Sequence, residues 1–414
     1  MADVPSHRKH RSVRIAAFLA LAALAAVQLR IALQEQAEYS DAGASAAMIA
    51  MLRSPFLLVW HGKRLHLLEG EVAQAEALYR RALVHNSLYI PAWLGLAELR
   101  NDRGKKAEAA AILDHVDGLS AGINRWRWDK ALLTYQLGRT DILARDLAWI
   151  VANIPGQRQD ALKMAFSLWP EPAVLRDHIG RDNIIHLFHH AARTGKVEAA
   201  LAFWPEVEKL GVDNYRPEVL VFLNSLIQHD RLAEAAAIWR TYFNGESLLA
   251  NGDFDKEPTN TAFDWRISAP KGSSWRIEAA DDGKGRAMRL HFSGTDNLGY
   301  QHLTQIVPLA PGRKYRLIGK YKTDKLTTDQ RPYLEVIGFQ CPMAPVRSAG
   351  VAASQPWTAL SLPFEVPADC RAVVVRVRRD PSTHLDNLLA GDLWLKEMAI
   401  EKTGEIHAAP VVVQ

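Results

Sequence analysis

The sequence predicts three successive parts: a membrane helix, a solenoid of α-helical hairpins and a C-terminal β-sandwich. An apolar run at 15–27 follows basic residues and predicts the membrane helix. Glycine and alanine recur about every 34 residues from Gly70 onward, which indicates a helical repeat. From Leu248 the apolar residues alternate with the two-residue period of strands. The boundaries are 1–39 for a basic tail and anchor, 40–246 for the repeats, 247–405 for the sandwich and 406–414 for a flexible tail.

The N-terminal segment predicts which compartment holds the protein. Its apolar run, IAAFLALAALAAV, is preceded by Arg8, Lys9, Arg11 and Arg14. Such a basic flank stays on the cytoplasmic side of a membrane, so the rest of the chain is expected outside the cytoplasm. Residues 15–33 reach bilayer length only by including Gln28 and Arg30. We favour an uncleaved anchor, and the alternative is a signal peptide cleaved near Ala-Leu-Ala at 23–25.

The composition of the 414-residue chain narrows the classes of function. The formal net charge is only +4, and no basic patch with interleaved aromatic residues occurs, so a nucleic-acid partner is not expected. The 12 tryptophans indicate packing anchors or stacking surfaces. The two cysteines, Cys341 and Cys370, predict either a disulfide in an oxidising compartment or two buried free thiols.

The helical repeat is clearest between residues 59 and 118. Gly70 and Gly104 are 34 residues apart, and so are Ala75 and Ala109. The glycine can end one helix, and the small alanine lets the next helix pack closely. Segment 92–116 resembles a tetratricopeptide repeat, with matching residues Trp93, Leu96, Ala97, Gly104, Ala109, Leu113 and Val116. This resemblance implies a scaffold whose groove docks a protein partner; the copies at 185–243 match less well.

The C-terminal part carries about nine short alternating segments separated by turn residues, which predicts a jelly-roll β-sandwich. It opens with Asn-Gly-Asp-Phe-Asp at 251–255, continues with QIVPLAPGRKYRL at 305–317 and later has Trp357 to Pro367. In this order the segments resemble carbohydrate-binding modules of families four and nine. The resemblance implies that Asp253, Asp255 and Asp392 lie where such modules often hold a structural calcium. The alternative for these aspartates is capping of strand ends.

Sugar rings stack on exposed aromatic side chains, so aromatic residues near strand ends are the candidate binding residues. These are Trp275, Tyr333, Tyr300 and Trp394, with Trp275 and Tyr333 as first choices because Ser, Gly or Pro neighbours them. Trp265, Trp357 and Phe364 match family positions that are normally buried. No nucleophile elbow, phosphate loop or zinc-protease motif occurs, which favours a non-enzymatic protein. Beyond the structural calcium that the resemblance implies, no cofactor is expected.

These observations together predict a membrane-anchored scaffold. It would be a single-pass protein of a bacterial inner membrane with its bulk in the periplasm. The combination of repeats and a sugar-module-like sandwich suggests a role in the biosynthesis or export of a surface polysaccharide. Its expected partners are a protein in the solenoid groove, a polysaccharide at the sandwich and the membrane through residues 15–33. The rival hypothesis is a purely structural assembly protein that binds no glycan.

Overall fold

The computed structural model of the chain describes residues 53–120, 125–244 and 247–403. The predicted membrane helix at 15–33 and the predicted tail at 406–414 lie outside the described residues. Among the helices that are described, none is both long and apolar enough to cross a membrane. The chain divides into two compact units, Met1–Leu168 and Trp169–Gln414, and the change from helices to strands lies in the second unit.

The described part of the first unit is a series of helices that pack in pairs. They are α1 (Pro55–Arg64), α2 (Val72–His85), α3 (Ile90–Asp102), α4 (Lys106–Leu119), α5 (Arg127–Gln136), α6 (Thr140–Asn153) and α7 (Pro155–Leu168). Helix α1 packs on α2, α3 on α4 and α5 on α6. Gly104 joins α3 to α4 at φ +75°, and the Lys105 N–H donates to the Arg100 carbonyl at 2.9 Å. This bond satisfies a carbonyl that the end of α3 leaves without an intrahelical partner.

The repeated small residues allow close packing between these helices. Ala75 and Ala109 are fully buried, as is the Tyr79 ring. A Cβ atom added to Gly62 would lie 2.5 Å from the Tyr79 ring, and one added to Gly95 would lie 2.7 Å from it. The ring of Tyr79 therefore packs directly against the backbones of α1 and α3, which only glycine permits.

The second unit begins with five further helices, and the last two of these contact the β-domain. They are α8 (Pro172–Ile179), α9 (Ile184–Arg193), α10 (Val197–Leu210), α11 (Arg216–Gln228) and α12 (Leu232–Trp239). A π-helical turn, Arg240–Asn244, follows α12. The Trp239 ring packs edge-on against Phe263, with centroids 5.8 Å apart. Arg266 donates from Nη2 to Asn224 Oδ1 of α11 at 3.0 Å, so helices and sandwich share an interface in this unit.

Two antiparallel sheets follow the helices, which confirms the predicted order of a helical part and then a sandwich. Their strands are β1 (Arg266–Ile267), β2 (Ser273–Ala279), β3 (Arg286–Ser293), β4 (Tyr300–Pro308), β5 (Lys314–Asp324), β6 (Tyr333–Gly338), β7 (Val346–Arg347), β8 (Gln355–Glu365), β9 (Ala372–Arg379) and β10 (Ala390–Lys402). The first sheet has the order β1-β4-β9-β6-β7 and the second has the order β2-β3-β10-β5-β8. Alternating apolar residues of both sheets, among them Leu303, Val375, Leu290 and Leu395, form one buried core.

The opening Asn-Gly-Asp-Phe-Asp segment is built into this core. Phe254 and Trp265 are buried side by side, with ring centroids 5.6 Å apart. The Met398 N–H of β10 donates to the Gly252 carbonyl at 2.8 Å, and Trp265 Nε1 donates to the Asn251 carbonyl at 3.1 Å. A Cβ atom on Gly252 would lie 1.8 Å from the Met398 carbonyl oxygen. Glycine is required at 252 because two backbones touch there.

Candidate functional site

Polar side chains converge on the outer face of the first sheet. Residues alternate across a strand, so the buried Val375 and Val377 of β9 place Arg376 and Arg378 on the opposite, outward side. On β6, Tyr333 lies opposite Arg378, and Glu335 lies opposite Arg376. Glu335 also pairs with Arg347 of β7. The arginine–tyrosine face is defined here as Tyr333, Glu335, Arg347, Arg376, Arg378 and the adjoining Asp380.

Glu335 is the centre of this face, and its carboxylate is completely buried. Its two oxygens accept from different guanidinium groups: Oε1 from Arg347 Nε at 2.7 Å and Oε2 from Arg376 Nε at 2.6 Å. A buried carboxylate is stable only when it is paired and hydrogen-bonded, and here both conditions hold. Glu335 therefore holds two arginines in fixed positions on the sheet surface.

Tyr333 is the half-exposed aromatic residue of the face, and its orientation is fixed. Its hydroxyl donates to Asp380 Oδ2 at 2.6 Å, while Arg378 donates to Asp380 Oδ1 from Nη2 at 2.8 Å. Burial and the Asp380 carboxylate raise the pKa of Tyr333 to about 12. The bonds from Tyr333 and Arg378 lower the pKa of Asp380. At neutral pH the face therefore presents a neutral phenol bonded to a charged carboxylate.

A disulfide fixes the strands that carry this face. Cys341 follows β6 and Cys370 precedes β9, and the two are joined with their Cα atoms 5.4 Å apart. A Cβ atom on Gly338, the last residue of β6, would lie 2.5 Å from the Cys341 carbonyl oxygen. The cross-link therefore ties the end of the strand that carries Tyr333 and Glu335 to the beginning of the strand that carries Arg376 and Arg378.

The structure does not bring the four predicted sugar-stacking residues together. Tyr300 is only 2% exposed and packs edge-on against Phe292 in the core, so its assignment as a stacking residue is wrong. Trp275 on edge strand β2 is half-buried and packs against the same core. Trp394 lies on the outer face of the second sheet, where it is half-buried. Only Tyr333 lies on the arginine–tyrosine face.

The ring of Trp394 is surrounded by charged groups. Arg289 and Lys322, from the strands on either side, lie 5.3 and 4.8 Å from its ring centre. Its Nε1 donates to Glu278 at 2.6 Å. Trp357 belongs to the same outer face and is half-exposed, whereas the resemblance to carbohydrate-binding modules implies a core residue there. Its Nε1 donates to Asp281 at 2.7 Å.

The predicted calcium ligands also lie apart. Asp253 and Asp255 are exposed, and neighbouring Gly252 contacts Met398. Asp392 precedes Met398 by six residues on β10, which is about 20 Å of extended strand. Asp392 instead accepts from Arg289 Nε at 2.8 Å and is paired with His291 at 2.9 Å. These three aspartates cannot share one ion, and no group of three ligand side chains that could hold a metal occurs within the described residues.

Sequence comparisons give partial similarities. No family model matches the chain. It is 28% identical over 182 residues to the tRNA nuclease WapA of Bacillus subtilis strain 168 and to the tRNA3(Ser)-specific nuclease WapA of Bacillus spizizenii. Each match includes 41% of this chain and 7% of the relative. The chain thus spans less than a tenth of the length of these relatives.

Comparison with solved structures identifies carbohydrate-binding modules that align with the C-terminal β part. A family-four module is 19% identical with a TM-score of 0.27, over 37% of this chain and 99% of the module. TmCBM61, solved with β-1,4-galactotriose, is 13% identical with a TM-score of 0.27, and the match covers 38% of this chain and 99% of TmCBM61. The CBM22-1 xylan-binding domain of Paenibacillus barcinonensis Xyn10C is 13% identical with a TM-score of 0.24. This match covers 33% of this chain and 85% of that domain.

Proposed function

We propose that this protein is a non-catalytic scaffold whose β-sandwich contacts glycan through the arginine–tyrosine face. The observation that carries this proposal is the half-exposed ring of Tyr333, which is held by Asp380 beside Arg347 and Arg378. An aromatic face can stack on the apolar side of a sugar ring. The guanidinium groups and the carboxylate beside it supply donors and acceptors for sugar hydroxyls.

The remaining parts of the proposal come from the sequence. Tetratricopeptide-like hairpins would dock a protein partner in the solenoid groove. Residues 15–33 would anchor the chain in a bacterial inner membrane, with the bulk in the periplasm, where the Cys341–Cys370 disulfide can persist. A protein with these parts would support the biosynthesis or export of a surface polysaccharide. Membrane fractionation with intact-mass measurement tests the anchor, and a mature protein lacking about 25 N-terminal residues would exclude it.

The glycan proposal is tested by a glycan array with the full chain and two single variants. Tyr333→Ala removes the proposed stacking ring, and the matched Trp394→Ala removes a tryptophan from the opposite outer face. Stacking contributes about 0.5–1.5 kcal/mol beyond burial, so Tyr333→Ala should weaken binding several-fold. Trp394→Ala should leave glycan affinity unchanged. Thermal unfolding of both variants tests whether each retains its fold.

Two results would contradict the proposal. If the wild-type chain binds no glycan on the array, the structural assembly hypothesis is favoured instead. If Trp394→Ala abolishes binding while Tyr333→Ala does not, the contact lies on the second sheet and the assignment of the face is wrong.

A further inference from the structure

We infer that the arginine–tyrosine face selects acidic polysaccharides, whose sugar units carry carboxylate groups. This inference rests on the proposed function, because it names the class of glycan that the same face would take. It follows from the distribution of charge over the two outer faces of the sandwich and from the groups that the first sheet leaves available to a ligand.

A row of polar residues, four of them charged, crosses the first sheet. In register across β1, β4, β9, β6 and β7 it consists of Arg266, Thr304, Arg376, Glu335 and Arg347. Arg378 and Asp380 lie beside this row. Arg266 is half-buried and donates to Asn224 of α11, so it is not part of the face. The arginine–tyrosine face thus holds three guanidinium groups and two carboxylates, which leaves a surplus of one positive charge. Such a surface attracts anionic ligands over distances comparable to the Debye length.

The two carboxylates of the face are already occupied by its own residues. Glu335 has no exposed surface and accepts from Arg347 and Arg376. Asp380 accepts from Tyr333 and Arg378. Neither carboxylate therefore needs a cationic ligand, and the surplus charge on the face remains with the arginines.

Arg347 is the group best placed to meet a ligand. Its side chain is 48% exposed, and only Nε is used in its bond to Glu335. Among the described residues, Nη1 and Nη2 of Arg347 have no hydrogen-bond acceptor. Two parallel N–H groups of a guanidinium match the two oxygens of a carboxylate. The guanidinium carbon lies 5.4 Å from the centre of the Tyr333 ring, so one sugar unit can touch both side chains.

The outer face of the second sheet differs, because in its ion pairs five cations are balanced by five acids. The pairs are Lys322 with Asp281, Lys396 with Asp282, Arg289 with Asp392, Arg276 with Glu278 and Lys320 with Glu397. The positive surplus is therefore a local property of the first sheet. A single-stranded nucleic acid would need successive aromatic side chains for its bases, whereas Tyr333 is alone on this face among the described aromatic residues.

The test compares polysaccharides that share a backbone and differ in charge. The full chain is titrated by calorimetry with polygalacturonate and its methyl ester, and with carboxymethylcellulose and hydroxyethylcellulose. In low salt the acidic member of at least one pair should bind about tenfold more tightly, and this preference should shrink as salt is added. Arg347→Gln should remove the preference, because a charge-assisted pair is lost. Arg347→Lys should restore part of it.

The matched control is Arg276→Gln, which removes an exposed arginine from the other face and should leave the preference unchanged. If both members of a pair bind equally, glycan binding stands and the acidic preference is refuted. If no polysaccharide binds, the proposed function fails as well. If poly(U) binds as tightly as the acidic polysaccharides, the face is a general polyanion surface and the inference is overturned.

Discussion

Replacing Gly252 by alanine is expected to separate the opening segment of the sandwich from β10. The added Cβ would lie 1.8 Å from the Met398 carbonyl oxygen, a backbone atom that cannot rotate away. Overpacking of this kind costs about 1–3 kcal/mol. If the segment withdraws, the bond from the Met398 N–H to the Gly252 carbonyl is also lost. Loss of this hydrogen bond would cost about 0.5–1.5 kcal/mol more. We expect a total loss of about 1.5–4.5 kcal/mol in unfolding free energy.

The measurement is urea unfolding of the full chain, followed by hydrogen exchange in peptides from β3 and β10. Gly350→Ala is the matched control, since the nearest atom to its added Cβ is 3.8 Å away, an ordinary contact. The reasoning is refuted if Gly252→Ala lowers the unfolding midpoint of these strands no more than Gly350→Ala does.

Two further predictions concern the first unit. Ala109→Leu should lower the unfolding free energy by about 1–3 kcal/mol in thermal or urea unfolding, because Ala109 is fully buried. The control Ala107→Leu, at an exposed position of the same helix, should be nearly neutral. Equal effects of the two substitutions would mean that the hairpin register is wrong. Hydrogen bonds from Arg100 and Arg80 lower the pKa of Glu76 from 4.5 to about 2, so its stabilisation is present above pH 4.5 and is lost as the pH falls towards 2. Glu76→Gln should therefore destabilise the unit at pH 7 and do so progressively less below pH 4.5 in urea titrations, and a difference that is constant with pH would contradict this.

The order of elements could be predicted from local sequence patterns. Alternation predicts eight of the described strands, because each of these has at least six residues, enough to show a two-residue period. Alternation does not reveal Val346–Arg347, since two residues form no period and the pairing of this strand with Glu335 and Val336 is not local. The predicted glycine turn at Gly104 rests on conformational freedom, which is also a local property.

The candidate site could be predicted only in part, because burial of an aromatic residue depends on distant neighbours. Tyr300 and Tyr333 both lie at the start of a strand, yet Tyr300 packs on Phe292 while Tyr333 faces outward. The alternation of AVVVRVRR places Arg376 and Arg378 on one face, so these two residues of the candidate site are predictable from the sequence. Glu335 and Arg347 join them only through strand pairing. Asp392 likewise finds Arg289 at a sequence separation of 103, which removes it from the predicted calcium site.

The strand order also determines when the sandwich can form during synthesis. The last two strands, β9 and β10, occupy the middle of the first and second sheets, respectively. While β9 is still inside the ribosome, β4 and β6 lack the strand that pairs with both of them. In the same way, β3 and β5 lack β10, which pairs with both of them. Contacts of such large sequence separation form slowly, and unpaired strand edges are sites of aggregation. The edges of β3 to β6 therefore remain unpaired until Lys402 has left the ribosome, and a chain truncated before Ala390 is expected to aggregate.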